Sequence, residues 1–186
     1  MNNKIILLQN AELEKDEMLH SKNLALSPLG SRTVENLYNT GAFDNINMII
    51  SSQYKSSYLT AYPLAKRLGK NIIQMKEFDE INRNKDIQLT KEEYYNLNIQ
   101  SFEDIDFTKY GWEPSRKGLE RIVKGIGLLQ KNNYDKNILV ISHPIILNLY
   151  FAYMTDNIYE IQNRWHRCKP CSYGVINGNK VLKDIV

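Results

Sequence analysis

Few side chains in this sequence are equipped for chemistry. There are three histidines, His20, His143 and His166, and two cysteines, Cys168 and Cys171. His143 follows the apolar run Ile138-Leu139-Val140-Ile141-Ser142 and precedes Pro144, so it is expected just past the end of a buried strand. Asn10 stands in the same relation to Ile5-Ile6-Leu7-Leu8-Gln9. Open α/β sheets bind ligands at the carboxyl ends of their strands, which makes Asn10 and His143 the first candidates for one shared pocket. An imidazole carries an available lone pair near neutral pH and can act as nucleophile, acid–base group or anion ligand. A carboxamide has its nitrogen lone pair delocalised into the carbonyl; it donates and accepts hydrogen bonds but does not attack. His20, in the polar stretch Glu12–Leu26, is expected to be solvated, and His166, in Arg164-Trp165-His166-Arg167, to lie at the surface.

Cys168-Lys169-Pro170-Cys171 is a single C-x-x-C. It offers two of the four ligands of a structural zinc site, and no complete set is apparent even with His166 nearby. A redox pair opens a helix after a strand, whereas this pair precedes a predicted strand. The two are expected to be packing or free thiols, and neither a metal nor another cofactor is expected. Tyr54, Tyr58 and Tyr62 recur every four residues and should share a helical face, packed in the core or lining the pocket.

The elements that must position these residues alternate between apolar runs and helix-like stretches, which predicts a parallel-type α/β sheet. Strands are expected at Lys4–Gln9, Met48–Ser51, Ile72–Met75 and Asn137–Ser142, with two more near Ser172–Ile176 and Lys180–Asp184 joined by a turn at Asn177-Gly178. Ser27-Pro28 should open a helix that Gly41 stops. Ser52 should cap a second helix ending at Gly69, with Pro63 causing a kink or a late boundary. Thr90 with Glu93 forms a capping-box pattern for a short helix to about Leu97, Ser115 should cap a helix to about Asn132, and an apolar helix should follow Pro144.

The length, 186 residues, suits one domain with a sizeable core. A net charge of +3 without a basic stripe argues against a nucleic-acid partner. No apolar run approaches the ~18 residues of a membrane span. The opening Met1–Leu8 is too short for a secretory signal and is expected to lead into the first strand, so a soluble cytoplasmic protein is expected. Its richness in Asn, Ile, Lys and Tyr is expected of an AT-rich bacterial genome.

Three separated segments resemble the histidine phosphatase (phosphoglycerate-mutase-like) superfamily, in order. Ile6-Leu7-Leu8-Gln9-Asn10-Ala11-Glu12 resembles its strand ending in Arg-His-Gly-Glu. Ser51-Ser52-Gln53-Tyr54-Lys55-Ser56-Ser57-Tyr58-Leu59-Thr60-Ala61 resembles Ser-Ser-Pro-x-x-Arg-x-x-x-Thr-Ala. Val140-Ile141-Ser142-His143-Pro144 resembles Val-Ser-His-Gly. Ser27-Pro28-Leu29-Gly30, Phe78-Asp79-Glu80 and Glu113-Pro114-Ser115 with Arg121 are further matches.

The resemblance implies a three-layer α/β sandwich, a mostly parallel sheet flanked by helices, as a single domain over residues 1–186. In that family the first His accepts the phosphoryl group, two Arg and a second His cradle it, and an acid protonates the leaving group. Carried over by position, the nucleophile falls on Asn10, its flanking Arg on Gln9, its flanking Gly on Ala11 and the second Arg on Ser56. The second His is kept as His143 and the acid as Glu80. Lys55, Lys15 and Arg83 are the cations that could replace lost charge. The expectation is therefore the fold without phosphoryl transfer. The pocket would be repurposed to bind or transform a small organic or phosphorylated molecule through Gln9, Asn10, Ser56, Lys55 and His143, with Asn10, His143 and Glu80 available for chemistry. A non-catalytic binding or regulatory role and a weak phosphatase or mutase are the alternatives.

Overall fold

In the computed structural model of the protein, residues 4–14, 21–83, 87, 89–133 and 135–186 are described. Six strands form one sheet in the order β3-β2-β4-β1-β5-β6. They are β1 (Lys4–Gln9), β2 (Met48–Ser51), β3 (Ile72–Gln74), β4 (Asn137–Ser142), β5 (Tyr173–Asn177) and β6 (Lys180–Lys183). The pairings β1–β4, β2–β4 and β2–β3 are parallel, while β5 and β6 join as an antiparallel edge. The mostly parallel sheet predicted from alternation is thus present, with the hairpin at Gly178 (φ 56°) turning the chain as expected.

Successive strand residues point to opposite faces, and the central strands are apolar on both. Ile5, Leu7, Ile138 and Val140 enter one core cluster, and Ile6, Leu8, Leu139 and Ile141 enter the other. Helices α1 (Pro28–Asn39) and α2 (Lys55–Leu68) close the second face through Val34, Tyr38, Ala61 and Leu64. Helices α4 (Ser115–Asn132), α5 (Pro144–Met154) and α6 (Ile161–Arg167) close the first through Ile122, Ile126, Ile146 and Ile161. Helix α3 (Lys91–Glu103) adds Phe102 to that cluster. The result is the expected three-layer sandwich.

Local signals behaved unevenly. Ser27 caps α1, its Oγ accepting from the Gly30 amide, and Thr90 with Glu93 forms a complete capping box on α3. That helix runs to Glu103, past the predicted end near Leu97, because Leu97, Ser101 and Phe102 are buried. Ser52 does not cap α2, which begins at Lys55 with no side-chain cap; its hydroxyl is engaged elsewhere. Ser115 is the first residue of α4, and its Oγ donates to the carbonyl of Ser101 instead of capping. Helix α2 continues through Pro63 to Gly69, whose φ of 62° ends it. The short helix α6 was not predicted.

Candidate functional site

Register brings three strand ends together. Gln9 of β1 lies beside Ser142 of β4, and Ser51 of β2 lies beside Ile141. The residues that follow, Asn10, His143 and Ser52, are held by the same sheet edge. The Asn10 amide donates to the Ser142 carbonyl at 2.8 Å, and the Ser52 amide to that of Ile141 at 3.0 Å. Asn10, His143, Gln9 and Ser56 are all nearly completely buried, and they line the floor of one cavity of about 1030 Å³. The predicted meeting of Asn10 and His143 is therefore present, with Gln9 and Ser56 beside them.

Each floor residue has a defined orientation. Asn10 Nδ2 donates to the carbonyl of Ala11 at 2.8 Å, which fixes the amide so that Oδ1 faces away; Oδ1 is buried with no partner among the described residues. The Ser56 hydroxyl is likewise buried and unpartnered among them. Gln9 Oε1 accepts from the Cys168 thiol at 2.8 Å. The backbone amide of Ala11 donates to Thr60 Oγ1 at 3.0 Å, and Thr60 Oγ1 donates to the Ser56 carbonyl at 2.8 Å, so α2 clamps the strand end.

His143 is held most tightly. Its Nε2 lies 2.7 Å from Ser52 Oγ and 3.3 Å from Ser57 Oγ, and the Tyr54 ring packs against the imidazole at 4.4 Å between centroids. Ser52 Oγ also accepts from the Tyr54 amide at 3.2 Å, which ties the ring to the start of α2. Burial, reinforced by the positive charge of Arg121, pushes the imidazole pKa down to about 3. The ring is therefore neutral at physiological pH and adds no positive charge to the floor.

Glu80 lines the cavity, but its carboxylate is occupied. Oε1 accepts from the amides of Ile81 and Ile146 and Oε2 from that of Ile145, each at 2.9 Å. Ile145 and Ile146 belong to the first turn of α5, so Glu80 caps the helix that carries His143 at its start. Burial raises its pKa above the usual carboxylate range, against the pull of the three amides and Arg83. Glu80 thus reaches the cavity with both oxygens accepting from backbone amides. Arg121 fixes the same segment from behind, donating to the carbonyls of Lys76, Glu77, Asp79 and Glu80 and pairing with Glu113 at 3.0 Å.

Lys55 also departs from expectation. It is exposed and does not line the cavity, because on a helix its neighbour Ser56 points inward and Lys55 points about 100° away. Tyr54 lines the cavity, while Tyr58 and Tyr62 lie on the exposed side of α2, stacked on each other at 6.2 Å. Cys171 is buried in the core, and both thiols are free. His166 is exposed and bonds Tyr95 Oη at 3.2 Å. Lys15 and His20 lie outside the described residues. Among the described residues no group of three or more His, Cys, Asp or Glu is arranged to hold a metal ion, and no helix is long and apolar enough to cross a membrane.

Sequence reasoning missed Ser57 and the holding roles of Ser52 and Thr60. It also missed Trp112 and Tyr94, which line the cavity beside Arg83, one of the cations expected to replace lost charge. Ser57 and Thr60 are three apart and share one side of α2; Trp112 gave no signal, since it reaches the cavity from a loop.

The sandwich topology and a cavity at the β1–β4 strand ends define a phosphoglycerate-mutase-like α/β protein. The family model described as "Histidine phosphatase superfamily (branch 1)" matches residues 10–183, and the chain belongs to that superfamily. Among solved structures it is similar to a mycobacterial glucosyl-3-phosphoglycerate phosphatase, at 14% identity and a TM-score of 0.78 over 98% of each chain. It is similar to Bacillus stearothermophilus YhfR, at 14% identity and a TM-score of 0.79 over 97% of this chain and 95% of that one. It is also similar to a mutant phosphoserine phosphatase from Entamoeba histolytica in complex with phosphoserine, at 19% identity and a TM-score of 0.72 over 93% of this chain and 89% of that one. At such identities the likeness concerns the fold. The search of curated proteins finds no match.

Proposed function

We propose that this protein binds a small organic molecule in the cavity above Asn10 and His143 and does not pass a phosphoryl group through a histidine. The observation that carries this is Asn10 itself. A carboxamide with its NH2 tied to the Ala11 carbonyl occupies the strand end where the family's accepting imidazole is expected. It offers no nucleophilic nitrogen, and no positive charge to a phosphate oxygen.

The rest of the floor agrees. Gln9, Ser56 and neutral His143 carry no positive charge. Charge-assisted hydrogen bonds contribute about 1.5–3 kcal/mol each, so replacing two Arg forfeits roughly 3–6 kcal/mol of phosphate affinity, or about 10²–10⁴-fold. With Glu80 committed to α5, proton transfer in the cavity rests on His143 alone. That weighting favours a binding role. A second reading, conversion of the ligand with His143 as acid–base group, rests on its place in the cavity lining and requires release of Nε2 from Ser52. The two unpaired thiols support a reducing, cytoplasmic setting.

The test is incubation with p-nitrophenyl phosphate, followed by vanadate titration of the Gln9→Arg, Asn10→His, Ser56→Arg triple variant. No turnover is expected from the unaltered protein, and vanadate binding only from the variant. Turnover that Asn10→Ala abolishes, or a covalent phospho-adduct, would overturn the reading.

A further inference from the structure

One part of the cavity lining carries a buried charge with no carboxylate partner among the described residues. Arg83 is buried and lines the cavity. Its Nε and Nη2 donate to Asn98 Oδ1 at 3.3 and 3.2 Å, Nη2 donates to Ser101 Oγ at 3.1 Å, and Nη1 donates to the Glu113 carbonyl at 3.2 Å. Each of these acceptors is neutral. Among the described residues no carboxylate pairs with it. The carboxylates that influence it, Glu80 and Glu113, are taken by the backbone amides described above and by Arg121. Burying a cation without an anion is costly, and neutral dipoles recover only part of the loss.

Two donors here have no acceptor among the described residues. A guanidinium carries five N–H groups, and the four bonds above leave one hydrogen on Nη1. The Trp112 indole lies 4.4 Å from Arg83, and its Nε1 is buried with no partner among the described residues. Trp112 is 2% exposed and also lines the cavity. Lys91, in the first turn of α3, adds a further cation to the same lining.

The geometry points to an anion site at Arg83 and Trp112, so that the molecule bound in this cavity is an organic anion. Its carboxylate or phosphate is held there by Arg83 and Trp112, and its uncharged part extends toward Asn10 and Ser56. This rests on the reading that the cavity binds a small organic molecule. It reverses the polarity expected from the family resemblance, because the anion is held by Arg83 and Trp112 and not by the floor.

The probes are 3-phenylpropionate, its neutral amide 3-phenylpropionamide, and phenyl phosphate, titrated against the full chain and each variant by isothermal titration calorimetry. The carboxylate should bind at least about tenfold more tightly than the amide, with a preference that shrinks as salt rises. Trp112→Phe, which keeps the ring and removes the donor, should reduce that preference, and Arg83→Gln should erase it while the amide still binds. Equal affinity for carboxylate and amide in the unaltered protein overturns the anion site and leaves the cavity reading intact. No binding by any probe at about 10 mM overturns both. Comparison of phenyl phosphate with the carboxylate decides which anion the site prefers.

Discussion

Ser52 Oγ lies 2.7 Å from His143 Nε2, joining the end of β2 to the end of β4 across 91 residues of chain. This bond engages one ring nitrogen, and burial together with the positive charge of Arg121 keeps the imidazole unprotonated. The pKa of about 3 lies below the ordinary value of 6.5 for the unfolded chain. Between those values the unfolded state binds a proton that the folded state refuses. The contribution of His143 to stability is therefore fully present above about pH 6.5 and falls as pH drops toward 3, at about 1.4 kcal/mol per pH unit. Urea unfolding at pH 7 and pH 5 should show this loss, and His143→Gln should flatten it. An NMR titration in which the His143 ring protonates near pH 6.5 would contradict the assignment.

Glu80 is expected to act on stability before it acts on any chemistry. Glu80→Gln leaves one oxygen to accept and turns an NH2 toward an amide that needs an acceptor, which should cost about 2 kcal/mol. For a chain of this length that is a fall in Tm of about 4–8 °C. Glu80→Ala should cost more, because all three amides lose their partner. A Glu80→Gln variant as stable as the parent would show that the carboxylate is not needed as the cap of α5.

The strand ends were legible because an apolar run followed by a polar residue has one physical reading in a doubly covered sheet. That reading placed Asn10 and His143 correctly, and the capping box placed α3. What escaped was set by tertiary contact. Ser52 has the residue type of a helix cap, yet its hydroxyl is worth more against a buried imidazole than at the exposed start of α2. Glu80 reads as an acid from its neighbours, but only the approach of α5 reveals three amides waiting for it. Arg83 stands out in sequence only as a loop cation, and its lack of a carboxylate partner among the described residues is a matter of tertiary placement.

Gly30 should tolerate no side chain. A methyl group there would meet the backbone carbonyl of Glu12, which lies on the segment leaving the cavity floor. Because that neighbour is backbone, it cannot swing aside as a side chain would. The Ser27 amide donates to the same carbonyl at 2.9 Å, so the start of α1 and the chain after Asn10 are already drawn together. Gly30→Ala should destabilise the protein by about 1–3 kcal/mol, measured by chemical denaturation. A neutral result would show that α1 is free to shift outward.

The orientation of Asn10 can be tested with a nearly isosteric change. Asn10→Asp replaces the Nδ2 donor by an oxygen facing the Ala11 carbonyl, so that the ionised form places two acceptors against each other in a buried site. Only the protonated acid can donate there, and its pKa should rise well above the ordinary 3.9. The folded variant then holds a proton that its unfolded chain releases, so its stability falls as pH rises above about 4 and levels off past the raised pKa. Subtracting the parent's own pH dependence isolates this trend from that of His143, which has the opposite sign. If the variant's deficit is the same at pH 4.5 and pH 7.5, the amide is turned the other way and its NH2 does not donate to the Ala11 carbonyl, so that a donor and not an acceptor is left over on residue 10.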